Sequence, residues 1–141
     1  IVEAIPKTLQ DNIFDLTQLI LGKKIDQARD LVKDLTLQRE DEIKLIAIML
    51  GQFRLYTQVK ILLEYGQTES QMVSSLGHYL GRNPNPYQIK FALRDTRALS
   101  LNFLQDSIRY LIQADYQIKT GVYEKGYLFE KALLQIASQS N

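Results

Sequence analysis

The stretch from Glu42 to Tyr65 constrains this chain more than any other. It is long enough for about six helical turns, contains no Pro and only Gly51, and is apolar almost all round. Ile43, Leu45, Ile46, Ile48, Met49, Leu50, Phe53, Leu55, Tyr56, Val59, Ile61, Leu62 and Leu63 leave no clean polar side. A helix of that kind is expected to be enclosed by other helices rather than laid on a surface. It carries the tripeptide Gln52-Phe53-Arg54, in which an Arg interrupts a segment that otherwise favours burial.

The chain has 141 residues, the size of one domain. It opens at Ile1 rather than Met, so it is expected to be a piece of a longer protein. With no Cys, it has no disulfide frame, thiolate nucleophile or zinc–thiolate site. A formal charge of +1 signals neither a strong nucleic-acid footprint nor an acidic tail. The longest uncharged stretches, near Leu45–Phe53 and Ser70–Gly81, fall well short of the roughly 20 residues that span a bilayer. No basic leader precedes an apolar core, so no signal peptide is expected.

Punctuation along the chain predicts helices throughout. Residues 1–10 include Pro6, show no sustained period, and read as a linker or the end of a preceding domain. Asn12 is the expected cap of a short helix holding Ile13, Phe14, Leu16, Leu19 and Ile20, which Gly22 ends in a left-handed conformation. From Lys24, the residues Ile25, Ala28, Leu31, Val32 and Leu35 recur at helical spacing, opposite Asp26, Arg29, Asp30, Lys33 and Asp34. Glu40, Asp41 and Glu42 set negative charge at the start of the long helix, which Gly66 ends. Thr68 with Gln71 reads as a capping box for a short helix through Met72, Val73 and Leu76, closed by Gly77.

A break follows over residues 77–86. Then Asn85 as cap and Pro86 at the first helical position start a helix to about Leu99. Ser100 caps another to about Thr120, with Leu104, Ile108, Leu111, Ile112 and Ile118 on one stripe and Gly121 at its end. A last helix runs from about Lys125 to Ala137. No segment alternates with period two. The expected fold is all-α, a compact antiparallel array of about seven helices.

Catalytic chemistry is hard to find. His78 is the only histidine and reads as a solvated loop residue, since one His cannot assemble a metal site or a nucleophile–base pair. No phosphate-cradling glycine motif occurs. No catalytic, cofactor-binding or metal-ligating residue is assigned, and no cofactor is expected. Two features remain. Lys90, Arg94 and Arg97 fall on one face of the helix after Pro86, and with the preceding capped helix they resemble a helix-turn-helix, although Gly77 to Asn85 is long for its turn. Asp115 sits beside an apolar stripe with Lys119 four residues on, an order that suits an ion pair.

Three segments coincide in order and spacing: NIFDLTQLILGKK at residues 12–24, GQFRLYTQVKILLEYG at 51–66, and DYQIKTG at 115–121. Together they resemble the C-terminal part of the bacterial DNA polymerase III delta subunit family, a clamp-loader component, over residues 11–137. The resemblance implies a helical collar domain over residues 11–141, preceded at 1–10 by a linker or the end of a lid domain. Collars in that family pack side by side, so the implied partners are the other clamp-loader subunits, delta-prime and the tau/gamma ATPase subunits. The sliding clamp would be gripped by N-terminal domains absent from this sequence. DNA would be met indirectly through the assembled loader, and no membrane is implied. The implied setting is the bacterial cytoplasm, at the nucleoid-associated replisome, in an assembly resembling the DNA-directed DNA polymerase III holoenzyme, with no chemical step in this piece. Expected contacts between subunits are Arg54, Tyr110, Asp115, Tyr116 and Lys119, with Tyr123 and Tyr127 as further aromatic candidates. The alternative is a DNA-binding module reading DNA through the basic helix 86–99, with Lys90, Arg94 and Arg97 meeting DNA or an acidic partner. An enzyme ranks last, because nothing assembles a nucleophile, a base and a charge stabiliser.

Overall fold

A computed structural model describes residues 7–81 and 85–140. Residues 1–6 of the expected linker, and Asn83 and Pro84 of the expected break, lie outside the described residues. The fold class is all-α. Seven helices follow in order: α1 (Leu9–Leu21), α2 (Ile25–Leu37), α3 (Glu42–Glu64), α4 (Glu69–Leu80), α5 (Pro86–Thr96), α6 (Leu101–Lys119) and α7 (Lys125–Ala137), with no strand among the described residues.

Several helix ends sit where local chemistry places them. Thr68 Oγ1 accepts from Gln71 N at 3.3 Å while Gln71 Oε1 accepts from Thr68 N at 2.8 Å, a reciprocal box that opens α4. Asn85 Oδ1 accepts from Tyr87 N at 2.9 Å ahead of α5, and Ser100 Oγ accepts from Phe103 N at 3.0 Å ahead of α6. Gly66 and Gly121 take φ of +78° and +70° after α3 and α6.

Three ends differ from expectation. α1 is capped by Thr8, boxed with Asp11, rather than by Asn12; the shorter Asp does the work usually given to Glu or Gln. Gly22 is not left-handed (φ −83°); Lys23 takes that conformation instead, at φ +58°. Glycine still suits position 22, because a Cβ there would stand 3.3 Å from Gln18 O. Gly77 does not close α4, which continues to Leu80 and ends on Gly81 at φ +71°, so His78 belongs to the last helical turn rather than to a loop.

Lys23 explains its own backbone. Its ammonium donates to Ala137 O at 2.8 Å and to Gln139 O at 2.9 Å, so the turn after α1 closes the C-terminal end of α7. Carbonyls at a helix end have no partner within the helix and carry the negative end of its dipole.

The described residues form two packed units. One comprises residues up to Gln52 with Arg109–Gln139; the other comprises Phe53–Ile108. In the first, α1 packs on α2 and α7, and α2 on α7. Its core holds Ile13, Leu16 and Ile20 of α1, Leu35 of α2, Leu45, Ile46 and Met49 of α3, Leu111 and Ile118 of α6, and Leu128, Phe129, Leu133 and Ile136 of α7. In the second, α4 packs on α5, and the core holds Phe53, Tyr56, Val59, Met72, Leu76, Ile89, Leu93, Phe103 and Leu104.

The long helix α3 is two-faced, contrary to the reading of an enclosed rod. Leu45, Ile46, Met49, Leu50, Phe53, Tyr56 and Val59 are buried, whereas Lys44, Ala47, Gly51, Arg54, Ile61 and Glu64 form an exposed line at helical spacing. Small residues at 47 and 51 mask that line when only apolar character is counted. By length and composition alone α3 could cross a bilayer, a test that the core helix of a folded domain also passes. Its buried face lies in the two cores, and Arg54 and Lys60 interrupt its middle.

A tyrosine-lined groove and an exposed basic helix

The first unit carries a groove of about 670 Å³ whose wall runs along α7, through Tyr127, Glu130, Lys131 and Leu134, with Tyr110 from α6 and Arg29 from α2. Arg29 Nε meets Glu130 Oε1 at 2.6 Å, tying α2 to α7. Both side chains are substantially exposed, so this pair adds little stability, about 0.2–1 kcal/mol by comparison with other surface pairs. A second hollow continues past Tyr127 to Tyr123 and Glu124. The Tyr123 and Tyr127 rings meet edge to face, centroids 6.0 Å apart at 61°, the arrangement their quadrupoles favour. The Arg109 guanidinium lies 5.6 Å from the centre of the half-buried Tyr110 ring.

The α6 residues expected to contact other subunits project from two sides of that helix. Tyr110 lines the groove with Tyr127. Tyr116 is six residues further on, about 1.7 turns, and therefore projects from another side of α6. It shares that side with Asp115, Lys119 and Ile112; apolar spacing places Ile112 on the buried stripe, but it is exposed. The buried line of α6 runs instead through Phe103, Leu104, Ser107, Leu111, Ala114 and Ile118. Lys119 Nζ donates to Asp115 Oδ2 at 2.9 Å, with Asp115 largely covered and Lys119 exposed.

The Gln52-Phe53-Arg54 tripeptide divides its labour. The Gln52 amide oxygen lies 2.6 Å from the buried Thr17 hydroxyl of α1, which also reaches Ile13 O at 2.9 Å. Phe53 is fully buried and meets Tyr56 edge to face at 5.8 Å. Arg54 is exposed, so its charge needs no buried counterion.

In the second unit, Lys90, Arg94 and Arg97 all project outward from α5. Sequence reading missed what accompanies them. Tyr87 and Phe91 are 70% and 40% exposed beside these cations, and the Arg94 guanidinium stacks 4.9 Å above Phe91. Their i, i+4 spacing was the available signal. Asp95, the single carboxylate of α5, is turned inward, accepting from Tyr56 Oη at 3.0 Å and from Arg94 Nε at 3.0 Å. The connection from α4 to α5 is five residues, Gly81 to Asn85, shorter than the sequence suggested.

No group of three or more His, Asp or Glu among the described residues is arranged to hold a metal ion. At the start of α1, a hydrogen bond to Asp15 at 2.6 Å, reinforced by its charge, raises the pKa of Lys7 above the usual lysine value, an ordinary surface pairing.

Comparison with known proteins agrees with this architecture. A sequence model for the C-terminal domain of the DNA polymerase III delta subunit matches residues 10–136. DNA polymerase III subunit delta of Bacillus subtilis (strain 168) is 32% identical over 136 residues, covering 96% of this chain and 38% of that protein. The solved structure of the Bacillus subtilis DNA clamp loader delta protein superposes with a TM-score of 0.83 at 32% identity, over 96% of this chain and 38% of its own. The chain thus spans well under half the length of these relatives. Matched over nearly its whole length, it belongs to the family formed by the C-terminal domains of DNA polymerase III delta subunits.

Proposed function

We propose that this chain is the collar domain of a clamp-loader delta subunit, and that it holds the loader together by packing against sister subunits. The reading rests on family membership and on one structural observation: the first unit presents a tyrosine-lined groove with charged edges, Arg29, Glu130 and Lys131 beside Tyr110 and Tyr127. Large aromatic side chains with polar tips, next to positionable charges, suit protein–protein contact. The Ile112–Tyr116 face of α6 is the second candidate surface. Residues 11–141 form the collar in this proposal, and residues 1–10 the end of a lid domain or a linker. The partners are the delta-prime and tau/gamma subunits, in the bacterial cytoplasm at the replisome. The domain performs no chemical step of its own; the polymerase activity belongs to the holoenzyme it serves, and clamp opening to N-terminal domains outside this sequence.

Co-elution with the loader's ATPase subunit tests this. Tyr127→Ala with Tyr110→Ala is expected to abolish co-elution while circular dichroism stays unchanged. Tyr116→Ala and Asp115→Ala report on the second face, and Arg54→Ala on α3. Undiminished co-elution in all these variants would refute the assignment of the surface.

A further inference from the structure

We propose that the tyrosine-lined groove of the first unit receives a proline-rich segment of a partner protein in the polyproline II conformation, recognised by a basic and an acidic side chain three residues apart on that segment. This rests on the reading of the groove as a surface between proteins, and it names what lies in it.

Unpaired charge along α7 sets the pattern the occupant must answer. Glu130 is already committed to Arg29 at 2.6 Å. Lys131 is half-buried and lines both hollows of the groove. Glu124 lines the second hollow and occupies the N-cap of α7 without capping the helix through its side chain. Neither Lys131 nor Glu124 has an ion-pair partner among the described residues. Positions 124 and 131 are two helical turns apart, about 10.5 Å along the axis, and so share one side of α7. A complementary partner brings a base to Glu124 and an acid to Lys131. In polyproline II, residues i and i+3 share a face and stand about 9.3 Å apart, which matches that separation.

Shape and hydrogen bonding select the conformation. From Glu124 to Ser138 the groove follows about 21 Å of helix axis, the span of about seven residues of polyproline II. A helix of that length, about 10–12 Å across, fills roughly 1,600–2,400 Å³, so it straddles hollows of about 670 and 440 Å³ rather than seating in them. An extended β-strand needs a sheet edge for its backbone groups, and no strand occurs among the described residues. Proline has no N–H to satisfy, and its carbonyls can accept from the hydroxyls of Tyr110, Tyr123 and Tyr127. Tyr123 and Tyr127 stay more than half exposed although their rings touch. Aromatic-lined grooves are the sites that proline-rich segments dock in, with a conformation set before binding and little entropy left to lose.

The test is fluorescence anisotropy of a labelled peptide of about ten residues with the intact chain, with circular dichroism confirming that each variant is folded. The peptide is proline throughout except for a lysine at its fourth position and a glutamate at its seventh. Saturable binding is expected. Tyr127→Ala should weaken it about 5-fold or more, the effect of truncating an aromatic anchor. Glu124→Ala and Lys131→Ala should each weaken it about 1.5- to 5-fold, the range for one exposed ion pair. Moving the glutamate to the sixth position turns the two charges to different sides of the peptide and should weaken binding to a similar degree. Tyr65→Ala, an exposed tyrosine outside the groove, should change nothing. The inference is overturned if the peptide fails to saturate at millimolar concentration, if Tyr127→Ala binds like the parent, or if the peptide with the moved glutamate binds as tightly. Tighter binding of a helical peptide with lysine and glutamate two turns apart would also overturn it. The two readings fail separately. Co-elution with the ATPase subunit that is lost in Tyr127→Ala with Tyr110→Ala, without any peptide binding, overturns this inference and keeps the groove as a subunit contact. Peptide binding by the parent, with co-elution undiminished in that double variant, supports the inference and removes the ATPase subunit as the groove's occupant.

Discussion

Lys23 offers the sharpest check on how the first unit is held together. Its ammonium donates to the last carbonyl of α7 and to that of Gln139 just beyond it, 114 and 116 residues away, while its own backbone sits at φ +58°. Charge-assisted hydrogen bonds contribute about 1.5–3 kcal/mol when well buried. Lys23 is exposed and only the Ala137 contact is part-buried, so the pair together, with the dipole interaction of about 0.3–1 kcal/mol, should contribute roughly 1–2 kcal/mol. Lys23→Ala removes both contacts and keeps the left-handed strain. Lys23→Gly removes the same contacts but relieves a backbone cost of about 1 kcal/mol. Expected losses are therefore about 1–2 kcal/mol for Ala and about 1 kcal/mol less for Gly, a gap of about 3–5 °C in melting midpoint for a chain of this size. Urea and thermal denaturation followed by far-ultraviolet circular dichroism measure both. A Gly variant no more stable than the Ala variant would refute the backbone argument. An Ala variant within about 0.5 kcal/mol of the parent, the scatter of ordinary surface changes, would show that the lysine contacts contribute nothing.

Other substitutions separate neighbouring claims. Thr96 Oγ1 is buried with no hydrogen-bond partner, so Thr96→Val is expected to raise stability by about 1 kcal/mol, and a loss on denaturation would reveal a missed partner. Tyr56→Phe strips one hydrogen bond from the inward-turned Asp95 carboxylate and should cost about 1.5–3 kcal/mol, measured by chemical denaturation. Phe53→Ala empties a fully buried ring site and should cost about 3–5 kcal/mol; a smaller loss would mean that the second unit collapses around the gap. A double-mutant cycle on Arg29 and Glu130 should return a coupling below about 1 kcal/mol, shrinking further in high salt.

The features legible in the sequence are those whose chemistry is local. Thr68–Gln71, Asn85–Pro86 and Ser100 each satisfy backbone groups within three residues, so spacing alone locates them. Gly66 and Gly121 are legible for the same reason. The errors arise where distant contacts decide. No local rule puts Lys23 rather than Gly22 in the left-handed region, because the compensation comes from carbonyls at the far end of the chain. Gly77 resembles a terminator, yet α4 continues to Gly81. Ile112 fits an apolar stripe by type, but its angular position on α6 faces outward, and only the packing of neighbouring helices distinguishes it from Leu111. The basic triplet on α5 was legible and its aromatic companions were not, because Tyr87 and Phe91 in a helical period look like core until their exposure is known. The tyrosine groove needs α2, α6 and α7 brought together, which no spacing encodes.

The division of the chain into one continuous and one interrupted unit has a consequence for synthesis. Residues 53–108 emerge from the ribosome as an uninterrupted block and can pack once the first two turns of α6, with Phe103 and Leu104, have followed. The first unit cannot: α1 and α2 leave early but lack α7, whose last residue follows Leu37 by roughly 100 residues, a wait of about 5–20 s at ordinary elongation rates. During that interval the apolar faces of α1 and α2 stay open to solvent or to a chaperone. The Lys23 contacts then form last, and Lys23→Ala should accelerate unfolding while leaving the refolding rate unchanged in stopped-flow measurements; a slowed refolding limb would place the junction of α1 and α7 in the nucleus instead.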